Sequence, residues 1–238
     1  MKEVQKYRIN SHDEDAWGVV TASHVLRYMQ ETANLQLYHT HPTPAELKES
    51  GRAFILSKLV MSIYAALHGF EEIEVETWLA EAKGVSFTRN YRMKRDGATV
   101  AEATSVWALV DTEDKHLFRV TDVDVTSHAD PEQSALDLPK RMRIPPDVPL
   151  TLVGERTIFY ADVDSNRHMN NTNYPDMLCS FIPDMAGRRV LTARLNFISE
   201  APLGCTLKVY TGEVDGVRYF RTLREDGRVN IEAEMILE

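Results

Sequence analysis

The feature that most constrains how this chain can fold is an internal duplication. The first half offers a strand at Tyr7–Asn10, a loop at His12–Gly18 and a helix from about Thr21 to Leu37. Val25, Tyr28, Met29, Ala33 and Leu37 mark that helix at helical spacing. Strand-like runs follow at Ala53–Tyr64, Glu72–Trp78, Phe87–Lys94 and Thr99–Val110. Glu72–Trp78 alternates charged and apolar residues, as a half-buried strand does. The second half repeats the order. Arg156–Tyr160 reads as a strand, Asp162–Asn173 as a loop, and Tyr174–Phe181 as the start of a helix. Strands are then expected at Thr192–Ile198, Cys205–Glu213, Arg218–Arg224 and Arg228–Leu237. Asp-Gly between strand-like runs is a strong hairpin signal. Asp226–Gly227 sits in the last hairpin as Asp96–Gly97 does in the first. Tyr174 opens the second helix 149 positions after Val25. The simplest account is a β-loop-helix-β-β-β-β unit present twice, at residues 1–121 and 151–238. Residues 122–150, rich in Asp, Ser and Pro, form a linker.

Composition narrows the function. A chain of 238 residues with 43% hydrophobic and 26% charged residues is ordinary globular material. A net charge of -9 argues against nucleic-acid binding. The N-terminus has no apolar h-region, and Phe54–Phe70, with Lys58 and His68, is too short and polar for an integral membrane span. Two cysteines, Cys179 and Cys205, make no disulfide framework. A reducing, cytoplasmic setting is expected.

The chemistry concentrates in residues 160–177. Asp164, Asn166 and His168 occupy alternate positions, and in an extended backbone such side chains share a face. A carboxylate, an amide and an imidazole together can orient water and stabilise charge on a carbonyl. The same residue types also build polar turns and helix caps. What favours chemistry is an asymmetry between the copies: with the helix starts aligned, His168 faces Val19 and Asn166 faces Trp17. One copy then carries polar chemistry, while the other packs or holds an apolar ligand.

The pattern Asp164-x-Asn166-x-His168-x-Asn170-Asn171-x-x-Tyr174 resembles the active-site segment of the acyl-acyl carrier protein thioesterases. Phe54–Lys58 and Val75–Trp78 are similar to that family's first unit, and the likeness runs from about Tyr7 to Ile236. The resemblance implies an α+β double hotdog, with a long helix wrapped by a curved antiparallel sheet in each unit. It implies hydrolysis of fatty acyl-carrier thioesters without cofactor or metal. It adds a fourth catalytic residue, Glu200, in Leu195-Asn-Phe-Ile-Ser-Glu200. Plant members have a Cys after that Glu. Here Ala201 follows, and Cys205 does not match, so a Cys–His mechanism is unsupported.

A thioester carbonyl needs a nucleophile and a stabilised oxyanion. No G-x-S-x-G elbow appears. His168 or Glu200 is the expected base for an activated water. Asn166 is expected to donate an amide N–H to the carbonyl oxygen or to the water, backbone N–H groups near Tyr174 to add to the oxyanion site, and Asp164 either to orient Asn166 or His168 or to attack directly. Trp17, Tyr28, Met29, Asn170, Asn171 and Tyr174 are the substrate-binding candidates. The carrier is acidic, so Lys140, Arg141, Arg143, Arg188 and Arg189 are its candidate contacts. His39 and His41 show no recognisable metal spacing. A monomer or homodimer fits. Acyl-CoA hydrolysis, a hotdog hydratase and a non-enzymatic acyl-thioester binder are the alternatives.

Overall fold

The computed structural model describes residues 1–133, 136–139 and 142–238. Strand β1 (Glu3–Arg8) leads to helix α1 (Ala22–His39) and short helix α2 (Pro44–Glu49). Four strands follow: β2 (Arg52–Ile63), β3 (Glu72–Lys83), β4 (Ser86–Arg95) and β5 (Ala98–Asp111). The second half gives β6 (Thr151–Thr157), α3 (Tyr174–Cys179), β7 (Val190–Phe197), β8 (Thr206–Val214), β9 (Val217–Arg224) and β10 (Val229–Leu237).

All ten strands form one sheet in the order β1-β3-β4-β5-β2-β7-β10-β9-β8-β6. Read inward from each edge, the two halves have the same connectivity, so the duplication is a pseudo-twofold about the β2–β7 seam. There Lys58–Ser62 pairs antiparallel with Thr192–Asn196. In β3 the alternation is explicit: Ile73 and Val75 are 3% and 0% exposed, while Glu72 and Glu74 face outward. In α1 the buried positions Val25, Met29, Thr32 and Gln36 fall three and four apart and lie on one face. Thr21 caps that helix by accepting from His24 N. One core cluster joins residues of both units, among them Met29, Leu59, Met61, Leu195, Phe220 and Met235.

Three expectations change. The resemblance implies a long helix in each unit, but α3 has six residues. Pro175 starts it, and Pro183, which disfavours helical backbone at Ile182 and lacks an N–H, stops any extension. Helix α2 is absent from the sequence reading, although Thr43-Pro44-Ala-Glu46 forms a full capping box. Residues 122–150 are not a loose spacer where they are described. Trp78 Nε1 donates to Glu132 O at 2.7 Å, and Met142, Ile144 and Val148 are buried. The strap then crosses Gly212, where a Cβ would stand 2.5 Å from the Pro149 carbonyl. No helix among the described residues is long and apolar enough to cross a membrane.

Candidate active site

The loop before each helix is built twice with the same hydrogen bonds. In the second unit Asp162 Oδ2 accepts from Phe159 N at 2.8 Å; in the first, Asp13 Oδ2 accepts from Asn10 N at 3.1 Å. A tight turn follows. Asp164 N donates to His168 O at 3.1 Å, Arg167 N to Asp164 O at 2.9 Å, and Asn166 N to Asp164 Oδ1 at 2.8 Å. The first unit reproduces all three: Asp15 N to Val19 O at 2.8 Å, Gly18 N to Asp15 O at 3.1 Å, and Trp17 N to Asp15 Oδ1 at 2.9 Å. Position by position, Asp15 matches Asp164, Trp17 matches Asn166, Gly18 matches Arg167 and Val19 matches His168.

The segment is therefore a tight turn and not the expected extended alternation. Asp164 and His168 face each other across the turn because their backbones pair, and Asn166 stands exposed at the tip. The Asp164 carboxylate spends Oδ1 on its own turn, as Asp does in an Asx motif.

Glu200 reaches this turn from the segment after β7. Met169 N donates to Ala201 O at 2.8 Å, which lays residues 200–202 beside the turn. Glu200 Oε2 then stands 3.2 Å from His168 Nε2. The imidazole is half-buried and the carboxylate exposed. Glu200 Oε1 meets Lys115 Nζ of the first unit at 3.7 Å, and Arg224 Nη1 donates to the Glu200 carbonyl at 2.9 Å. The equivalent bond in the first unit, Val20 N to Leu67 O at 2.9 Å, puts Ala66 where Glu200 lies. His168, Asn166 and Glu200 are thus replaced by Val19, Trp17 and Ala66. Asp15 alone keeps its type, and its role is to hold the turn.

Two cavities lie where one unit's helix meets the other unit's loop. The first unit's cavity, about 330 Å³, is lined by Trp17, Val19, Ala66 and Leu67 together with Cys179, Ile182 and Met185. The second, about 420 Å³, lies between Arg27, Glu31 and Asn34 of α1 and Asp162, Val163, Asn170 and Asn173. The first, which holds Trp17 and Val19 of the first turn, is mostly apolar; the second is polar, and none of Asp164, Asn166, His168 and Glu200 lines it.

The remaining candidates scatter. Trp17 lines the first cavity. Met29 is fully buried in the core. The Tyr28 hydroxyl donates to Asp13 Oδ2 at 2.5 Å, and burial with that carboxylate pushes its pKa up to about 12. Asn170 Oδ1 caps Thr172 N at 2.9 Å, Asn171 is half-buried, and the buried Tyr174 hydroxyl accepts from Asn230 Nδ2 at 3.0 Å. The first donors of the helix start are also occupied, since Asn173 N bonds Asn170 O at 3.0 Å. Arg188 pairs with Asp184 at 2.9 Å and Arg189 with Glu238, both at the first cavity, and Arg143 stands exposed between buried Met142 and Ile144. Lys140 and Arg141 lie outside the described residues.

The thiols are poor nucleophiles. Burial pushes Cys179 up to about 12 and also raises Cys205. Among the described residues no group of three or more His, Cys, Asp or Glu side chains is placed to hold a metal ion. His39 and His41 turn to separate partners, Glu3 at 3.3 Å and Glu46 at 2.9 Å.

Comparison with known proteins gives the family. Residues 2–128 match the model of the acyl-ACP thioesterase N-terminal domain. Oleoyl-acyl carrier protein thioesterase 2, chloroplastic, of Arabidopsis thaliana is 21% identical over 197 residues, 75% of this chain and 53% of that protein. The chain thus spans about half the length of that curated relative. Among solved structures, an acyl-ACP thioesterase from Bacteroides thetaiotaomicron superposes with a TM-score of 0.89 at 19% identity, over 100% of this chain and 98% of the other. The 12:0-ACP thioesterase from Umbellularia californica gives 0.79 at 16% identity, over 100% and 97%. These two establish the double-hotdog fold. A family match that covers over half the chain establishes the lineage: the protein belongs to the acyl-ACP thioesterase family.

Proposed function

We propose that this protein hydrolyses the thioester between a fatty acyl group and acyl carrier protein, releasing the free fatty acid and the carrier thiol. The observation that carries the proposal is the His168–Glu200 pair at 3.2 Å on a turn whose twin in the first unit has lost every such group. A water held between His168 and the thioester carbonyl loses its proton to the imidazole as its oxygen bonds to carbon; collapse of the tetrahedral intermediate then breaks the C–S bond, and the departing thiolate takes that proton from the imidazolium. Glu200 orients that imidazole and balances the charge it gains. Asn166, exposed beside it, offers an amide N–H to the developing oxyanion. Asp164 supports the turn through Asn166 N. The carrier is acidic and this chain is itself net negative, so docking depends on local cations.

The test is free-thiol release from a panel of acyl-carrier thioesters, with CoA thioesters beside them and His168→Ala in parallel. Release by the wild type that collapses in the variant supports both reaction and site. Release that survives leaves the reaction but discards His168. Absence of release from either carrier turns attention to a hydratase or a binding protein. Single-turnover hydrolysis in labelled water separates the two possible nucleophiles. Label recovered in Asp164 would make that carboxylate, and not water, the first attacker.

A further inference from the structure

Arg167 carries a further inference, which rests on the hydrolase proposal above. It sits at the tip of the catalytic turn with φ of 67°. The matching residue in the first unit is Gly18, with φ of 74°. Left-handed backbone suits glycine and strains an arginine. The strain persists because the turn is bonded on both sides: Arg167 N donates to Asp164 O at 2.9 Å, and Arg167 O accepts from Leu203 N at 3.3 Å. A glycine would satisfy the same backbone at lower cost. The backbone of this turn therefore does not call for an arginine.

The charges around it point to a use for one. Arg156 is tied to Asp162 at 2.7 Å, Arg224 and Arg228 share Asp226 at 3.5 and 2.6 Å, and Lys115 meets Glu200 at 3.7 Å. Arg167 is exposed and adjoins His168 in the chain, and no carboxylate among the described residues lies within ion-pairing distance of its guanidinium. We infer that Arg167 binds the phosphate of the phosphopantetheine arm while the thioester carbonyl rests at His168. A guanidinium fork suits a phosphate, which it can grip through two N–H donors. Carrier protein and CoA present the same arm, so the contact is to a chemistry both share.

Arg167→Gly is the natural variant, because the twin turn already folds with glycine. The readout is the ratio of kcat/KM for an acyl-4′-phosphopantetheine thioester to that for the acyl-pantetheine thioester, which lacks the phosphate. Losing one charge-assisted contact lowers that ratio by roughly tenfold, and Arg167→Lys restores much of it. Calorimetry with 4′-phosphopantetheine and pantetheine themselves reads the same preference without turnover. A protein that hydrolyses nothing, and so fails the proposal above, still reports on Arg167. A preference for the phosphorylated arm that is lost in Arg167→Gly supports the contact. An unchanged preference, or a loss seen only with the intact carrier protein, overturns it. The latter result would assign Arg167 to acidic side chains of the carrier.

Discussion

In the proposed reaction single side chains carry the chemistry, and the first unit's turn offers an internal comparison for them. Glu200 divides its oxygens, Oε2 to His168 and Oε1 to Lys115. Glu200→Gln keeps the size of the side chain but removes the charge that balances a protonated imidazole. Its expected effect is a fall in kcat within the roughly 10²–10⁴-fold range of general-base catalysis, with little change in KM. A matching rise in KM with kcat intact would move Glu200 from chemistry to binding. Arg167→Gly has a second consequence in the apo protein. Relief of the left-handed backbone recovers about 1–2 kcal/mol, while the freer unfolded chain takes back about 0.4–1. The thermal midpoint should therefore hold or rise, and a clear fall would show that the arginine side chain stabilises the fold. Asp164, Asn166 and His168 were readable as a cluster because all three lie within five residues. The manner of their meeting was not. Alternation assumes a strand, whereas Asp164 folds the segment onto itself through Asn166 N. Glu200 was placed only by resemblance, since the backbone bond that brings it near spans residues 169 and 201. Lys115 had no local signal at all, because its partner is in the other unit.

Elements were easier to read than their ends. Alternation in β3 and the 3.6-residue period of α1 are local, and both survive. The length of α3 depends on Pro183, which the helical start at Tyr174 does not reveal. The cap on α1 is shared across the units. Asp176 of α3 accepts from Thr21 Oγ1 at 2.6 Å and from Ser23 N at 3.1 Å, and Ser23 Oγ accepts from Asp176 N at 3.0 Å. Asp176→Ala should cost about 1–2 kcal/mol, the usual worth of a good cap, measured by urea unfolding. A loss of only a few tenths would mean that water replaces the carboxylate. The strap brings a titratable group into the fold. His128 is 2% exposed and bonded by Nε2 to His41 O at 3.1 Å. Burial first, and the Arg89 cation second, depress its pKa to about 4 from 6.5. A depressed imidazole binds its proton more readily when unfolded. Stability should therefore be intact above about pH 6.5 and fall as the pH drops toward 4. His128→Gln should flatten that window in thermal scans between pH 7 and 4. An unchanged slope would place the acid sensitivity elsewhere, in the paired carboxylates.

Across the whole molecule, the two copies share one ten-stranded sheet and one core cluster. The division at 1–121, 122–150 and 151–238 is the repeat as the sequence presents it. As a claim about autonomy, however, it meets the seam. Leu59 and Leu195 are paired across β2 and β7 and are 1% and 0% exposed. Each unit alone would uncover that row and a sheet edge of unpaired N–H and C=O groups. Each cavity is also lined by residues of both units. Duplication followed by specialisation is consistent with this arrangement, since Asn166, His168 and Glu200 of one copy stand where the other has Trp17, Val19 and Ala66. Leu195→Ala tests the physical side of the argument. Removing a fully buried leucine at the seam should cost about 2–5 kcal/mol. If the units are coupled, that loss appears equally in both. Amide exchange should accelerate together in β3–β4, far into the first unit, and in β8–β9, far into the second. Urea curves followed by tryptophan fluorescence report the first unit, because Trp17, Trp78 and Trp107 all lie there, and they should coincide with curves followed by circular dichroism. Loss of protection confined to β7–β10, with the tryptophan transition unmoved, would make the two hotdogs separable domains that merely share an edge.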